Sequence, residues 1–322
     1  MSVSFSNKVS INHLINKRSN NILSIYHLIN KEYKLANFSL EYFPPGDQAG
    51  LKNLSNQARV MSAYSPLYMS ITHSAKGAEI NETMHTVQTL KEQLSVEISP
   101  HMTCSSYSKA EIIKMAEDYL SLGVESVVAL RGHLIEDASI GEPRYDNSPD
   151  FIDALSKNFD FRISISGYPE GHPEKKDVAS DLKYLRKKCD AGADEIITQW
   201  FFSNNHLLQF RDQCDATGIN IPIVPGILPI TDIKKVKNFA RACGSMIPIE
   251  LEEAFLKIDG DMEATEELGV HFAIQQIENL HKEGIDNFHL YTLNRSEMTK
   301  RIIEYFVVSI NEDDIASEKM AS

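Results

Sequence analysis

The sequence has few cysteines, no long apolar run and no block of basic residues. Its uninterrupted apolar stretches fall short of the about 18 residues that a membrane-spanning helix needs. Residues 1–20 are too polar for a secretory leader, and the four cysteines are widely spaced, with no Cys-x-x-Cys pair. Reduced thiols in a reducing compartment fit this pattern. We therefore expect a soluble cytoplasmic protein with no membrane partner.

Net charge and chain length further limit the class of protein. The formal net charge of −13 over 322 residues disfavours a polyanionic partner such as nucleic acid. With 42% hydrophobic and 24% charged residues, the composition is that of a globular protein with a sizeable core. This length is compatible with one large domain or with two average ones.

Short strand-like runs alternate with helical patterns along most of the chain. The runs are rich in Val, Ile, Phe, Tyr and Thr, are bounded by turn residues, and span 37–43, 67–72, 95–101, 126–131, 161–168, 195–202, 221–228 and 287–293. One helical pattern begins at Ser108, has Glu111 three residues later and stops at Gly123, which is a capping box followed by a glycine stop. Eight strands separated by helices predict a single-domain (β/α)8 TIM barrel.

The competing architecture is a doubly wound sheet. Such a sheet usually has a glycine-rich phosphate turn after its first strand, whereas residues 41–46 read "EYFPPG". The barrel is therefore assigned to 36–310, with an extra helix near 247–258. Residues 1–35 are predicted as an irregular or helical N-terminal extension, and 311–322 as a polar C-terminal tail.

Polar and titratable residues follow almost every predicted strand. In a TIM barrel, side chains at the carboxyl ends of the strands surround the active site. The residues at these ends are Glu41, Thr72, His73, His101, Thr103, Arg131, His133, Tyr168, His172, Thr198, Gln199, Thr292, Asn294 and Arg295. Their recurrence at one rim predicts a concave site for a large polar ligand.

Several of these residues have two interpretations. Glu41 lies in an apolar stretch, so it can act as a neutral proton donor, or it can pair with a cation such as Arg295. His101 and His172 are expected to form hydrogen bonds as neutral groups, because no metal-binding spacing accompanies them. No metal is predicted.

The other candidates divide in the same way. Arg131 beside Gly132 suits an anion or a carbonyl-rich ring, or a salt bridge at the rim. Gln199 can pair with a donor–acceptor ring edge or hold a loop. Lys188 can bind a diphosphate or belong to a solvated helix face, and Phe239 can stack on a ligand or fill the core.

Seven segments, in barrel order, resemble the bacterial methylenetetrahydrofolate reductase family across residues 36–307. They read "SLEYFPP", "PHMTC", "ALRG", "GYPEGHPE", "CDAGADEIITQWFF", "PGILPI" and "FHLYTLNR". The resemblance implies a barrel with non-covalent FAD, which NADH or NADPH reduces. Hydride then passes to methylenetetrahydrofolate in a ping-pong reaction that yields 5-methyltetrahydrofolate for methionine synthesis and one-carbon metabolism. Members are often homo-oligomers.

The resemblance also implies roles for individual residues. Glu41 matches the general acid that protonates the folate amine. The positions that match the FAD site are Thr72, Ala75, His101, Leu130, Arg131, Gly132, Tyr168, His172, Asp181 and Lys188. The positions that match folate or nicotinamide contacts are Gln199, Phe239, Leu293 and Arg295.

The chain departs from the family pattern at His133, where the family normally has aspartate after Leu-Arg-Gly. A protonated imidazole beside the flavin would favour reduced flavin and raise its potential, so His133 is placed with Glu41 among the catalytic residues. Three functions remain open: an ordinary reductase, a member that mainly oxidises 5-methyltetrahydrofolate in one-carbon catabolism, and a weakly catalytic flavoprotein partner. Smaller departures occur at Lys76, Tyr184, Lys235 and His73.

Overall fold

A computed structural model describes residues 36–73, 80–105, 107–132, 143–174 and 177–306. The predicted N-terminal extension, the polar tail and the candidate site residues Ala75 and His133 lie outside these ranges. Among the described residues, no helix combines the length and the apolar character needed to cross a membrane.

The described chain alternates strands and helices as the sequence predicts. The strands are β1 (Asn37–Tyr42), β2 (Met69–Ile71), β3 (Ile98–Thr103), β4 (Ser126–Leu130), β5 (Arg162–Gly167), β6 (Glu195–Thr198), β7 (Ile223–Val224), β8 (Gly226–Ile227) and β9 (Asn287–Tyr291). The helices are α1 (Gln48–Ser62), α2 (Ile80–Gln93), α3 (Lys109–Ser121), α4 (Ser148–Asn158), α5 (Val178–Asp190), α6 (Asn204–Ala216), α7 (Ile233–Cys243), α8 (Ile249–Leu256), α9 (Met262–Lys282) and α10 (296–306).

All the strands pair in parallel, in the order β7-β6-β5-β4-β3-β2-β1-β9-β8. The two end strands are adjacent in the sequence and are separated only by Pro225. Proline has no backbone N–H to donate, but the carbonyl of Pro225 accepts from the N–H of His289 at 2.9 Å. One predicted strand, 221–228, therefore occurs as two short pieces that close the barrel. The single-domain TIM barrel is confirmed.

The two faces of the barrel strands differ in chemistry. Outward residues such as Leu40, Ile71 and Ile163 are fully buried in a core cluster with the surrounding helices. The alternate residues of the same strands, including Ser39 and Ser164, face the barrel interior and are polar and buried. Because side chains alternate along a strand, this pattern gives the barrel an interior that combines polar side chains with a small apolar cluster of Tyr68, Val128 and Ile197.

Two predicted details of the helices are confirmed. Ser108 and Glu111 form a reciprocal capping box at the start of α3, and the extra helix α8 lies within 247–258. Strand β6 is shorter than predicted, since it ends at Thr198 rather than at residue 202. Trp200 and Phe202 leave the sheet because they pack into a separate apolar cluster with α7 and α8.

Candidate active site

Glu41 lies near the carboxyl end of β1, between two imidazoles from other strands. Its Oε2 atom is 3.4 Å from Nε2 of His101 on β3 and 3.5 Å from Nε2 of His289 on β9. The His289 side chain is fully buried, whereas the Glu41 side chain is 19% exposed. These distances exceed those of strong hydrogen bonds, and neither Nε2 atom has a hydrogen-bond partner among the described residues. The Glu41 carboxyl group thus lies between two buried imidazoles and is partly exposed at the barrel mouth.

Burial makes His101 a neutral group at physiological pH. Desolvation lowers its pKa to about 4, and the neighbouring Glu41 opposes this shift only in part. The sequence-based expectation of a neutral His101 agrees with this environment, whereas its hydrogen-bonding role stays a prediction. Within the described ranges, no set of three or more His, Cys, Asp or Glu side chains is arranged to hold a metal ion.

His289 is the main site residue that the sequence analysis missed. It pairs in register with Ser39, and its Nδ1 atom lies 2.7 Å from the Ser39 hydroxyl. It occupies the middle of a predicted strand, whereas the candidates came from strand ends. The alternation of Asn287, His289 and Tyr291 was a signal for an inward-facing histidine. No salt bridge within 4 Å joins Glu41 to Arg295, the cation considered from the sequence, although both residues are described.

The turn after β9 is tied to the end of β1. The Thr292 hydroxyl donates to the carbonyl of Glu41 at 2.6 Å, and the Asn294 side chain exchanges hydrogen bonds with the backbone of Phe43. Leu293 and Asn294 have φ values of 50° and 54°, which non-glycine residues rarely adopt. Such strain persists only where the surroundings enforce it. The turn holds Leu293 and Arg295 next to the strand that carries Glu41.

The end of β4 presents Arg131 and Gly132 next to the partly exposed Leu130. Gly132 has φ +79°, and a Cβ atom there would lie 2.7 Å from Cβ of Thr103, so this position requires glycine. The Arg131 guanidinium donates to the Glu174 carboxylate at 2.6 Å, and both side chains are about half exposed. The rim salt bridge considered from the sequence is present, and its exposure leaves the cation within reach of a ligand.

The segment between β5 and α5 gathers the remaining predicted FAD contacts. The Tyr168 and His172 rings meet edge to face, with centroids 4.5 Å apart, and the backbone N–H of His172 donates to Asp181 at 3.0 Å. Lys188 is only 8% exposed, and its ammonium group donates to the Ser166 carbonyl at 2.6 Å. Lys188 therefore points to the end of β5 and does not belong to the solvated face of α5.

The residues predicted to contact folate or nicotinamide lie on separate elements. Gln199 follows β6, and its side-chain carbonyl accepts from the N–H of Trp200 at 3.1 Å. Phe239 on α7 is 54% exposed, so it is not a core residue. Thr72, a predicted FAD contact at the end of β2, accepts on its carbonyl from the Thr83 hydroxyl at 3.2 Å.

The rim fits an aromatic, hydrogen-bonding and anionic ligand such as FAD. The buried His101 Nε2 and Thr103 Oγ1 atoms have no hydrogen-bond partner among the described residues. Gly132 allows its backbone to pack closely against Thr103 at this rim, and two cationic side chains, Arg131 and Lys188, lie near the ends of β4 and β5. Buried polar atoms without hydrogen-bond partners, next to cationic side chains, are typical of a ligand site.

A closed parallel barrel with an acid and a polar rim at the carboxyl ends of its strands defines a TIM-barrel enzyme. The chain belongs to the methylenetetrahydrofolate reductase family, since the family profile, "Methylenetetrahydrofolate reductase", matches residues 26–306. Members carrying this name are oxidoreductases, and the chain is one as well.

The curated relatives support this membership along the chain. The 5,10-methylenetetrahydrofolate reductases of Pectobacterium carotovorum subsp. carotovorum and Escherichia coli (strain K12) are each 37% identical over 266 residues. These matches cover 83% of this chain and 88% and 89% of the relatives. The Arabidopsis thaliana "Methylenetetrahydrofolate reductase (NADH) 1" is 34% identical and is covered over 46% of its length, with 80% of this chain aligned.

A solved structure supports the fold. A Clostridium thermocellum protein described as binding two copies of 5-methyl-5,6,7,8-tetrahydrofolic acid superposes with a TM-score of 0.55. The match covers 90% of this chain and 99% of that one at 15% identity, so it bears on the fold alone.

Proposed function

We propose that the protein reduces 5,10-methylenetetrahydrofolate to 5-methyltetrahydrofolate by a ping-pong reaction, with NADH or NADPH as the donor. FAD, when bound, would accept hydride from the nicotinamide and deliver it to the folate. The observation that carries the proposal is the position of Glu41, at the barrel mouth between His101 and His289. Family membership supports the substrate, and the plant relative named for NADH favours that donor. The product would serve methionine synthesis.

Glu41 would act as the general acid. Its proton passes to the folate amine, the five-membered ring opens, and the methylene carbon becomes part of a cationic iminium. His101 is held neutral by burial, so the carboxylate left after proton transfer is not neutralised by an imidazolium on that side. A carboxylate in this place stabilises the cation that accepts hydride.

The FAD site would be built by the ends of β3, β4 and β5. Lys188 would hold the diphosphate, Arg131 and His172 would serve the ribityl and phosphate region, and Gly132 permits close approach of the ring system. The set also includes Thr72, His101, Leu130, Tyr168 and Asp181. Ala75, which completes this set, lies outside the described residues and stays a prediction.

The folate and nicotinamide would share the remaining part of the mouth. The exposed ring of Phe239 would stack on the bound ring system, and the Gln199 amide would pair with the pterin edge. The strained turn after β9 would supply Leu293 and Arg295. Use of one cleft by both substrates in turn is what a ping-pong reaction requires.

The two alternative functions depend on different residues. Operation in the oxidative direction rests on His133, which lies outside the described residues, and is tested by comparing the flavin potential of the native chain with His133→Asp. The electrostatic argument requires the aspartate variant to have the lower potential. A weakly catalytic partner is disfavoured, because a mere binder has no use for an acid held between two buried imidazoles. Homo-oligomer formation stays a prediction.

The two half-reactions, measured separately under anaerobic conditions, test the proposed function. Purified protein should contain FAD, NADH should bleach it, and methylenetetrahydrofolate should restore its absorbance. Glu41→Gln should keep the first step and lose the second. Glu304→Gln is a matched control, because Glu304 accepts from the Tyr64 hydroxyl and lies on α10, outside the proposed site. Failure of folate to reoxidise the native flavin would refute the proposal.

A further inference from the structure

A second polar cluster lies at the opposite end of the barrel from Glu41. Tyr68 directly precedes β2, and Glu195 is the first residue of β6. The Tyr68 hydroxyl donates to Oε1 of Glu195 at 2.9 Å, and the Ser164 hydroxyl donates to the same oxygen at 2.7 Å. Strands 2 and 6 lie on opposite sides of the barrel, so this contact crosses its interior. We call the amino-terminal end of the strands, where it lies, the floor.

Ser39 connects the floor to the acid at the mouth. The Tyr68 and His289 ring centroids are 6.0 Å apart, and Ser39 Oγ lies 2.7 Å from Nδ1 of His289. The other ring nitrogen of His289 lies 3.5 Å from Glu41. Catalytic hydrogen bonds are often long in ligand-free structures and tighten when substrate binds.

The residues that connect Glu195 with Glu41 are enclosed by the barrel, and the cluster reaches solvent only at the floor. Ser39, Tyr68 and His289 are each at most 2% exposed, whereas Glu195 is partly exposed. Arg162, the first residue of β5, is exposed and holds its guanidinium 5.4 Å from the centre of the Tyr68 ring. The cluster therefore meets water at the end of the barrel that the proposed ligands do not cover.

We propose that Tyr68 and Glu195, with Ser39 and His289, form a proton path that recharges Glu41 from the floor of the barrel. This inference rests on the proposed function, in which Glu41 gives up a proton in each turnover. Reduction by NADH supplies hydride only, so one proton per turnover must come from water. With FAD and folate over the mouth, the floor offers a second route.

The transfer balances with one proton entering and one leaving. A hydronium ion from solvent protonates Glu195 and leaves as water. The Tyr68 hydroxyl, which donates to Glu195 at rest, turns toward Ser39, accepts a proton from Glu195 and passes its own proton to Ser39. Ser39 then donates to Nδ1 of His289, and the Nε2 proton of the same ring moves to the Glu41 carboxylate. Only O–H and N–H bonds form or break, and the hydroxyls and the imidazole tautomer then reset. Burial raises the pKa of Tyr68 well above its usual range, so it relays protons as a neutral phenol.

A purely structural role for this network makes different predictions. Buried hydroxyls and carboxylates need partners wherever they occur, and the chain contains a comparable pair elsewhere. Tyr305 is buried, and its hydroxyl donates to the buried Glu278 at 2.5 Å. That pair lies between α9 and α10, outside the barrel interior. Tyr305→Phe is therefore the matched control for Tyr68→Phe.

Stopped-flow and steady-state kinetics of the FAD-loaded protein test the path. The variants are Tyr68→Phe, Glu195→Gln and the control Tyr305→Phe, in H2O and D2O. In Tyr68→Phe, flavin reduction by NADH and the first reoxidation by folate should match the native rates, because the proposed acid needs a new proton only after its first transfer. Steady-state turnover should fall about tenfold, with a larger solvent isotope effect. Glu195→Gln should act in the same direction, and Tyr305→Phe should leave turnover unchanged.

A second readout needs neither FAD nor folate. In the 15N-histidine-labelled protein, the ring-nitrogen signals of His289, assigned by their loss in His289→Asn, report its tautomer. Tyr68→Phe should shift them, whereas Tyr305→Phe should not. Turnover and isotope effects equal in the two Tyr→Phe variants would overturn the path while leaving the proposed function intact. A native flavin that folate fails to reoxidise would overturn both.

Discussion

The two sides of the barrel mouth differ in charge and in exposure. On the side of β1, β3 and β9, Glu41 faces two buried imidazoles, and His101 is held neutral. On the side of β4 and β5, Arg131 forms a half-exposed ion pair with Glu174. A positioned carboxyl group can transfer a proton, and an accessible cation can form charge-assisted hydrogen bonds with an anion. Under the proposed function, the first side would transfer protons and the second side would bind anions.

The largest expected effect comes from removing the acid on the first side. Glu41→Gln should slow flavin reoxidation by methylenetetrahydrofolate by about 10²–10⁴-fold, the range for loss of a positioned acid. Flavin reduction by NADH should change less than about twofold, because hydride transfer to the flavin needs no proton from Glu41. Stopped-flow absorbance of the two half-reactions measures both effects. Equal slowing of both steps would mean that Glu41 serves the cofactor and not the folate.

The next effect is a pH dependence of stability caused by His101. Its pKa is about 4 in the folded protein and about 6.5 when unfolded. The unfolded chain therefore binds the proton first as the pH falls from about 6.5 to about 4, and stability falls across that window by up to about 3 kcal/mol. His101→Gln should reduce the loss of unfolding free energy between pH 7 and pH 5, measured with urea. An unchanged difference between the two pH values would show that His101 is not held neutral.

On the second side, Gly132→Ala should weaken FAD binding and cost about 1–3 kcal/mol of stability. The added Cβ would lie 2.7 Å from Cβ of Thr103, at a φ of +79°. Gly260→Ala is the matched control, since Gly260 has φ +89° with nothing within 4 Å of a Cβ atom. Thermal unfolding and flavin titration separate backbone strain from the clash. Equal losses in the two variants would remove the argument for a tightly fitted strand end.

The smallest expected effect concerns the exposed cation. Arg131→Gln should lower FAD affinity by about tenfold, as for loss of one charge-assisted hydrogen bond. Stability should change by less than about 1 kcal/mol, because the pair with Glu174 is exposed and screened. Fluorescence titration of the flavin-free protein with FAD measures the affinity. The converse variant, Glu174→Gln, should not weaken binding, and a loss there would mean that the ion pair itself shapes the site.

The sequence predicted the barrel because it depends on local patterns, and the candidate residues near the strand ends were chosen from the same patterns. Alternating strand and helix signals define a βα repeat, and Glu41, His101 and Arg131 stand where apolar runs end. Residues in the middle of strands gave no such signal, so His289 was missed. Its partnership with Glu41 depends on β9 pairing with β1, which brings together residues about 250 positions apart in the chain.

The floor cluster was missed for a related reason. Tyr68 precedes β2 and Glu195 begins β6, whereas the candidate residues came from the carboxyl ends of the strands. Their contact exists only because the closed barrel places strands 2 and 6 opposite each other. The orientation of Lys188 also depends on tertiary structure. Nothing in the basic run 186–188 indicates which of its side chains points toward the barrel strands and which point to solvent.

The most direct test of the central claim is the rate at which methylenetetrahydrofolate reoxidises the reduced flavin, compared between the native chain and Glu41→Gln. The account predicts rapid reoxidation in the native protein and almost none in the variant, while NADH reduces the flavin of both at similar rates. Reoxidation at the native rate in Glu41→Gln would contradict the assignment of Glu41 as the acid on which the function depends.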